Sequence, residues 1–525
     1  MTGTLGLLRF MLRRERRGLP WWLLGVALLW LTQSGQSQNL YGTPEDLAEL
    51  RSTAEGNAAV VVMNGPARLL DSIGGEIVFE MFGFVAVVLA LMNIFMVGRQ
   101  TRGDEETGRA ELIRSARVGR RAPLAAALAL AGAADLAAGV IVCAVVVATG
   151  LPVGSSVLLG AATAVVPATF AALTAVTAQL FESARSVYGS AAALLGGAFA
   201  LRAAGDAGSG ALSWLSPIGW GQRIYPYVAD RWWPLLLPLA AIAVLTTMAV
   251  ALLDRRDFGH GLVAPRPGRP VASAAFSNAY GLAWRLQRTA LTGWLAGLVL
   301  LGLAYGSMGD SMQQYVDDHP EIAEFLPGGA ARVLDSYLAL TIALSALIAS
   351  AYGVSSVLRT RGEETSGHAE SVLATRTSRL RWLAGHLSVT LAGTTLALVA
   401  IGLGEGVAYA LSVSDATQVP RVVGAALAYL PAVWSVAAVG VLAMGWLPRA
   451  AAAAGWTVVG YCAIVSLFGD SFDLPGWTRA ASPFDHTPQV PLDALDAAPL
   501  VVLTLITGAL LAAGYAGLRR RDIGY

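Results

Sequence analysis

The acidic and basic side chains of this chain that stand close enough to act together are concentrated in two stretches. They are TRGDEETGRAELIRSARVGR at 101–120 and TRGEETSGHAESVLATRTSR at 360–379. The chain as a whole is 14% charged and 55% hydrophobic, so such runs are exceptional in it. Shifted by 259 positions the two align without a gap. Thr101, Arg102, Gly103, Glu105, Gly108, Ala110, Glu111, Arg117 and Arg120 meet Thr360, Arg361, Gly362, Glu364, Gly367, Ala369, Glu370, Arg376 and Arg379, and Asp104 and Glu363 keep their charge. Asp104 and Glu105 are expected to open a helix, where acidic side chains suit the dipole. Glu105 and Arg109 then form an i,i+4 pair in the favourable order, with Glu364 and His368 in the same places. Ala110 and Ile113, and in the second copy Ala369, Val372 and Leu373, add a short apolar stripe. This describes a small amphipathic helix built to dock a partner. A solvated loop whose arginines only fix topology is the plainer alternative, but it would not need carboxylates, glycines and alanines at matched places. Two copies imply a partner that is itself a symmetric dimer.

The remaining residues offer little catalytic chemistry. All 36 basic residues are arginine. A P-loop needs a lysine to reach the nucleotide phosphates, so ATP-driven work would require another subunit. Cys143 and Cys462 lie in apolar runs and read as small buried hydrophobes. The five histidines, His260, His368 and His486 among them, show no metal-ligand spacing. An intramembrane enzyme would cluster His, Asp or Ser at matched depths, and no such cluster is visible. No catalytic residue, metal or cofactor is therefore expected in this chain.

Mean hydropathy is +0.59, and apolar runs near the length of a bilayer crossing recur throughout. They fall at 20–33, 77–97, 123–149, 152–180, 186–204 and 232–253, then at 290–308, 336–357, 382–411, 421–446, 450–469 and 498–517. The fold class is an all-α polytopic membrane protein of twelve spans. With the N-terminus inside, 28 of the 36 arginines fall in inner segments, which places both termini in the cytoplasm. The first run is flanked by GLPWW with no small-residue cleavage site close behind, so it reads as a retained span.

The two halves match at more than one place. RRDFG at 255–259 closes the first and RRDIG at 520–524 the second. At an offset of 272, Arg13, Arg16, Leu19, Trp22 and Gly25 meet Arg285, Arg288, Leu291, Trp294 and Gly297. Six spans is an even number, so the halves are parallel repeats about an axis along the membrane normal. The expected domains are 1–260 and 277–525, joined by a cytoplasmic linker over 261–276 that holds APRPGRP. Before the first span, Leu5, Leu8, Leu12 and Leu19 share one side of a helix beside Arg9, Arg13, Arg16 and Arg17. That pattern suits an elbow helix lying on an anionic inner leaflet, and Arg285 and Arg288 mark its counterpart.

Few ionisable groups enter the spans. Glu76, Glu80, Asn93, Asp135, Asp335 and Glu405 are candidates for a substrate path, with structural pairing the alternative for Asp135 and Glu405, and an outer-rim place for Glu76 and Asp335. The outer segments 34–75, 205–231, 309–335 and 470–497 are long. Trp214, Trp220, Tyr225 and Phe484 are candidates for an outer gate, or for an aromatic belt at the interface.

The pattern R-G-[DE]-E-x-x-G-x-A-E in both halves, the closing RRD-[FI]-G, and the loops SPIGWGQR (216–223) and SPFDHTPQ (482–489) resemble the membrane subunit of actinobacterial ABC exporters of the polyketide-antibiotic and multidrug type. The resemblance covers essentially the whole chain. It implies a single chain fusing two type-2 exporter membrane domains, served by two copies of a separate ATPase subunit that holds ATP and Mg. It also implies that residues 101–120 and 360–379 carry the coupling helices, through Arg102, Asp104, Glu105, Gly108, Arg109, Glu111, Arg361, Glu363, Glu364, Gly367, His368 and Glu370. An amphiphilic compound would then leave across the bacterial plasma membrane. The rival is a proton-coupled antiporter of the major facilitator type, which shares twelve spans but expects G-x-x-x-D-R-x-G-R-R in the loop and acids deep in several spans.

Overall fold

The computed structural model describes residues 2–56, 58–264, 270, 271, 273, 276–309, 329–468 and 475–522. Half of the expected linker, much of the outer segment 309–335 and the start of 470–497 lie outside the described residues, as do Ile523 and Gly524 of the closing motif. Every regular element among the described residues is a helix. Ten are long and apolar enough to cross a membrane: Ile73–Glu106, Ala122–Ala148, Val153–Leu180, Ala184–Ala207, Trp233–Arg255, Ala279–Ser307, Arg332–Thr365, Arg379–Ser412, Gln418–Trp446 and Ala497–Arg520. Each satisfies its backbone internally, as hydrocarbon demands. The chain is a multi-pass membrane protein. The other two expected spans fall on Leu19–Leu40, whose second half turns polar at TQSGQSQN, and on Ala451–Phe468, which is only 18 residues long.

Contacts divide the chain into two compact units, Met1–Gly268 and Arg269–Tyr525. Phe79, Phe82, Leu89, Leu130, Val142, Leu158 and Phe170 are buried in the core of the first. Leu338, Ile342, Leu398, Ile401, Val433 and Val436 serve the second. In the first unit, Ala122–Ala148 and Val153–Leu180 cross closely at Gly139 and Gly160. A Cβ on Gly139 would stand 2.3 Å from the carbonyl oxygen of Gly160, so only glycine lets the backbones meet.

Two boundaries differ from the expectation. The helix that starts at Ile73 does not stop before the charged stretch. It runs through a π turn at Arg99–Gly103 into Asp104–Glu106. In the second unit Gly329–Thr365 is likewise unbroken. Asp104, Glu105, Glu363 and Glu364 therefore close a long helix rather than open a short one. No proline precedes them, and the break comes at the next residue able to take a left-handed conformation. That residue is Gly108 (φ +71°) in one unit and Gly367 (φ +77°) in the other. Carboxylates at a helix C-terminus oppose the dipole, so cations must hold them there. The second difference is at the chain entry. Thr4–Glu15 is a separate helix that ends before Gly18, and the next begins with Pro20 in its first turn. At the 272 offset Ala290 and Thr292 replace this breaking pair, and Ala279–Ser307 runs on as one helix.

Candidate functional site

The charged stretch of each unit is built on one carboxylate. Glu105 takes Arg102 Nη1 at 2.8 Å and, through both its oxygens, Arg256 Nη2 at 2.5 Å and Nη1 at 3.0 Å. Glu364 takes Arg361 Nη1 at 2.9 Å, Arg521 Nη2 at 2.8 Å, and Arg521 Nη1 on its other oxygen. Arg256 and Arg521 are the second arginines of RRDFG and RRDIG. A bidentate guanidinium holds both position and angle of its carboxylate. The same backbone is gripped from a third side. Arg120 donates to the carbonyls of Leu253, at 2.9 Å, and Arg256, and Arg379 donates to the carbonyl of Arg521 at 2.7 Å. Each unit thus ties the end of the helix that leads into its charged stretch to the end of its last long helix.

These contacts replace the pairs expected from sequence. Glu105 does not bond Arg109, and Glu364 does not bond His368. With the helix continuing to Glu106, Glu105 points toward the last span. Arg109 lies 3.8 Å from Asp104 instead, and His368 lies 3.6 Å from Glu363, which also accepts from Arg359. Arg102 is fully buried and spends its other donors on the carbonyls of Ala178 and His260. After the glycines come two six-residue helices, Arg109–Arg114 and His368–Leu373. Here Arg109, Glu111, Leu112 and Arg114 are exposed in the first copy, and His368, Glu370 and Ser371 in the second. Ala369 is buried, and Arg114 lies over the ring of Phe258, 4.3 Å from its centre.

The entry helix packs on this site by a face the leucine pattern did not single out. Leu7, Met11 and Glu15 are buried, whereas Leu5 and Leu12 are exposed beside Arg9, Arg13 and Arg16. The reason is polar: Glu15 accepts from Arg99 and Gln100, at 2.5 and 2.7 Å, and Arg14 reaches Asp104 at 2.9 Å. At the 272 offset Ala279, Ala283 and Gln287 are buried in turn, and Arg285 and Arg288 are exposed. Gln287 accepts from Ser356 at 2.5 Å and stands 3.2 Å from His386.

Most of the intramembrane candidates find partners within their own unit. Asn93 donates to both oxygens of Asp135 at 2.9 Å, and Thr341 donates to Glu405 at 2.5 Å. Asp335 is held by Arg421 at 2.7 Å. Glu76 is buried and Glu80 half-buried, with no ion pair to either among the described residues. Of the aromatic candidates, Trp214 stacks on Trp233 with ring centres 5.1 Å apart, and Trp220 donates to the carbonyl of Trp214 at 2.6 Å. Tyr225 lies between Arg68 and Arg231, and Phe484 packs on Tyr429.

The family model "Multidrug efflux system permease Rv1217c, C-terminal domain" matches residues 3–253 and 276–519, which take in both charged stretches. The chain belongs to this family of multidrug efflux permeases. It is 40% identical over 532 residues to the multidrug efflux system permease protein Rv1217c of Mycobacterium tuberculosis, covering 99% of this chain and 95% of the relative. Within this permease the contacts missed in the sequence are those of Arg256, Arg521, Arg14 and Glu15. For Arg256 and Arg521 a signal was present in part, since RRD closes both halves, but the carboxylate each of these two serves lies more than 150 positions away.

Proposed function

We propose that this permease is the membrane subunit of an ATP-driven ABC exporter, with twelve spans in two parallel six-span halves and both termini in the cytoplasm. A separate ATPase subunit, present in two copies, binds ATP and Mg and docks on the two short helices. ATP-driven closure of that dimer rocks the halves, and an amphiphilic compound leaves across the plasma membrane. One observation carries the reading. The same short helix follows the same left-handed glycine in both units, with a clamped base and an exposed charged face. That is what a docking lever needs: a free tip and a root fixed to the spans. The chain performs no chemistry itself.

The test is co-purification with the ATPase subunit. Replacing Arg109, Glu111 and Leu112, together with His368 and Glu370, by alanine should abolish ATPase capture while leaving the membrane protein folded. Full capture by that variant, or transport that survives ATP depletion and collapses with an uncoupler, would overturn the reading in favour of proton-coupled transport.

A further inference from the structure

The two clamps fasten the ends of helices that are exposed along most of their length. In Trp233–Arg255 and in Ala497–Arg520, only 17% of the most apolar window is buried, against 67% in Ile73–Glu106 and in Arg332–Thr365. The last span of each half is therefore a peripheral helix that meets the rest of its unit along one side, in the second unit backbone to backbone, where a Cβ on Gly445 would stand 2.4 Å from the carbonyl oxygen of Gly514. Its end is gripped at the side chain by Glu105 or Glu364 and at the backbone by Arg120 or Arg379. Both grips come from residues that flank the short helix, one on each side.

We infer that Arg256 and Arg521 are positioning residues. Through Glu105 and Glu364 they make the last span of each half follow the short helix, so that a displacement of the tip reaches the end of that span. The geometry suits this role. The carboxylate sits immediately before the glycine break, and Arg120 and Arg379 sit at the start of the third span, so the clamp encloses the whole lever. In the first half Arg256 also bonds Gln179 Oε1 at 2.7 Å, at the end of the fourth span. In the second half Arg521 Nε is buried with no hydrogen-bond partner among the described residues. Counting Arg120 and Arg379, the first clamp reaches four spans and the second reaches three.

The inference rests on the ATPase-docking reading for its functional arm, so the experiment has an arm that does not. In the chain alone, with Cys143 and Cys462 replaced by alanine, spin labels at positions 112 and 247 report the distance between tip and last span. The native pair should give one narrow distance, R256Q a broad distribution, and the charge swap E105R/R256E a narrow one again. In proteoliposomes with the ATPase subunit, R256Q should still bind it and hydrolyse ATP. Transport per ATP should fall by roughly fivefold or more, the lower end of typical coupling between sites, and recover in the swap. R521Q and E364R/R521E should repeat this in the second half, with labels at 371 and 511. A narrow distance in R256Q, or an unchanged transport-to-hydrolysis ratio in an assembled variant, overturns the inference. If the single variants do not fold, the swaps decide: a folded swap with broad distances overturns it as well. Failure of the wild-type chain to bind an ATPase subunit would sink the docking reading alone, while the distances would still judge the latch.

Discussion

The two charged clusters of this permease are alike where they grip the last span and unlike where they meet the entry helix. In the first half the layer beneath Glu105 is ionic: Arg14 on Asp104, and Arg99 and Gln100 on Glu15. In the second half the equivalent places hold Leu286, Glu363, Leu358, Arg359 and Gln287: Arg359 pairs with Glu363 on its own helix, and what meets the entry helix is a neutral network of Gln287, Ser356, Thr390 and His386. The buried face is nevertheless the same, Leu7, Met11 and Glu15 against Ala279, Ala283 and Gln287. Two units with matched sequence can keep the same packing positions while exchanging charge for hydrogen bonds. The grip that survives unchanged is the one between distant ends of the half.

The largest expected effect tests that shared grip. Glu364→Ala strands Arg361 and Arg521 and should cost about 3–5 kcal/mol, as broken buried pairs do. Glu105→Ala should cost less, because the Glu105 side chain keeps 12% exposure against 1% for Glu364. Thermal unfolding in detergent orders the two, and the reverse order would show that the clamps are not equivalent. Next come the unlike layers. Asp104→Ala removes a charge-assisted bond and should cost about 1.5–3 kcal/mol, whereas Gln287→Leu should cost about 1 kcal/mol. Equal losses would mean that the ionic layer brings no added stability. Gly108→Ala and Gly367→Ala should each cost about 1–2 kcal/mol from the left-handed backbone alone, and matching values would tie both breaks to one cause. Smallest is Leu112→Ser, which gives the first tip the residue of the second, Ser371. Stability should stay within about 0.5 kcal/mol, while ATPase capture, read by pull-down, should weaken.

Much of this architecture could be read from the residues in order. The apolar runs locate the ten long helices, because hydrocarbon leaves the backbone no alternative to a helix. The matched Gly108 and Gly367 mark real breaks, because only their backbone can turn left-handed cheaply. The place of Asp104 and Glu105 could not be read this way. Local rules assign acids to a helix start, and they stand at a helix end because arginines from residues 14 and 256 outweigh the dipole. The packing face of the entry helix was hidden for a similar reason. Glu15 is buried by Arg99 and Gln100, partners that no periodicity within residues 4–19 reveals. Structural pairing stood beside a substrate path as a reading of Asp135 and Glu405, but no residue pattern named Asn93 and Thr341 as the groups they meet, because helix packing sets those contacts.

The break at Gly18 and Pro20, absent from the second half, makes one entry a hinge and the other a rod. With the membrane placement proposed above, a rod that begins outside the hydrocarbon and continues into it must tilt as a whole when the bilayer thins or thickens, since adjusting tilt is how a helix meets mismatch. A hinged entry lets the following helix tilt while the Thr4–Glu15 segment stays seated at the surface. Lipid chain length will therefore strain the two halves by different amounts, and this permease carries its sensitivity to membrane thickness on one side.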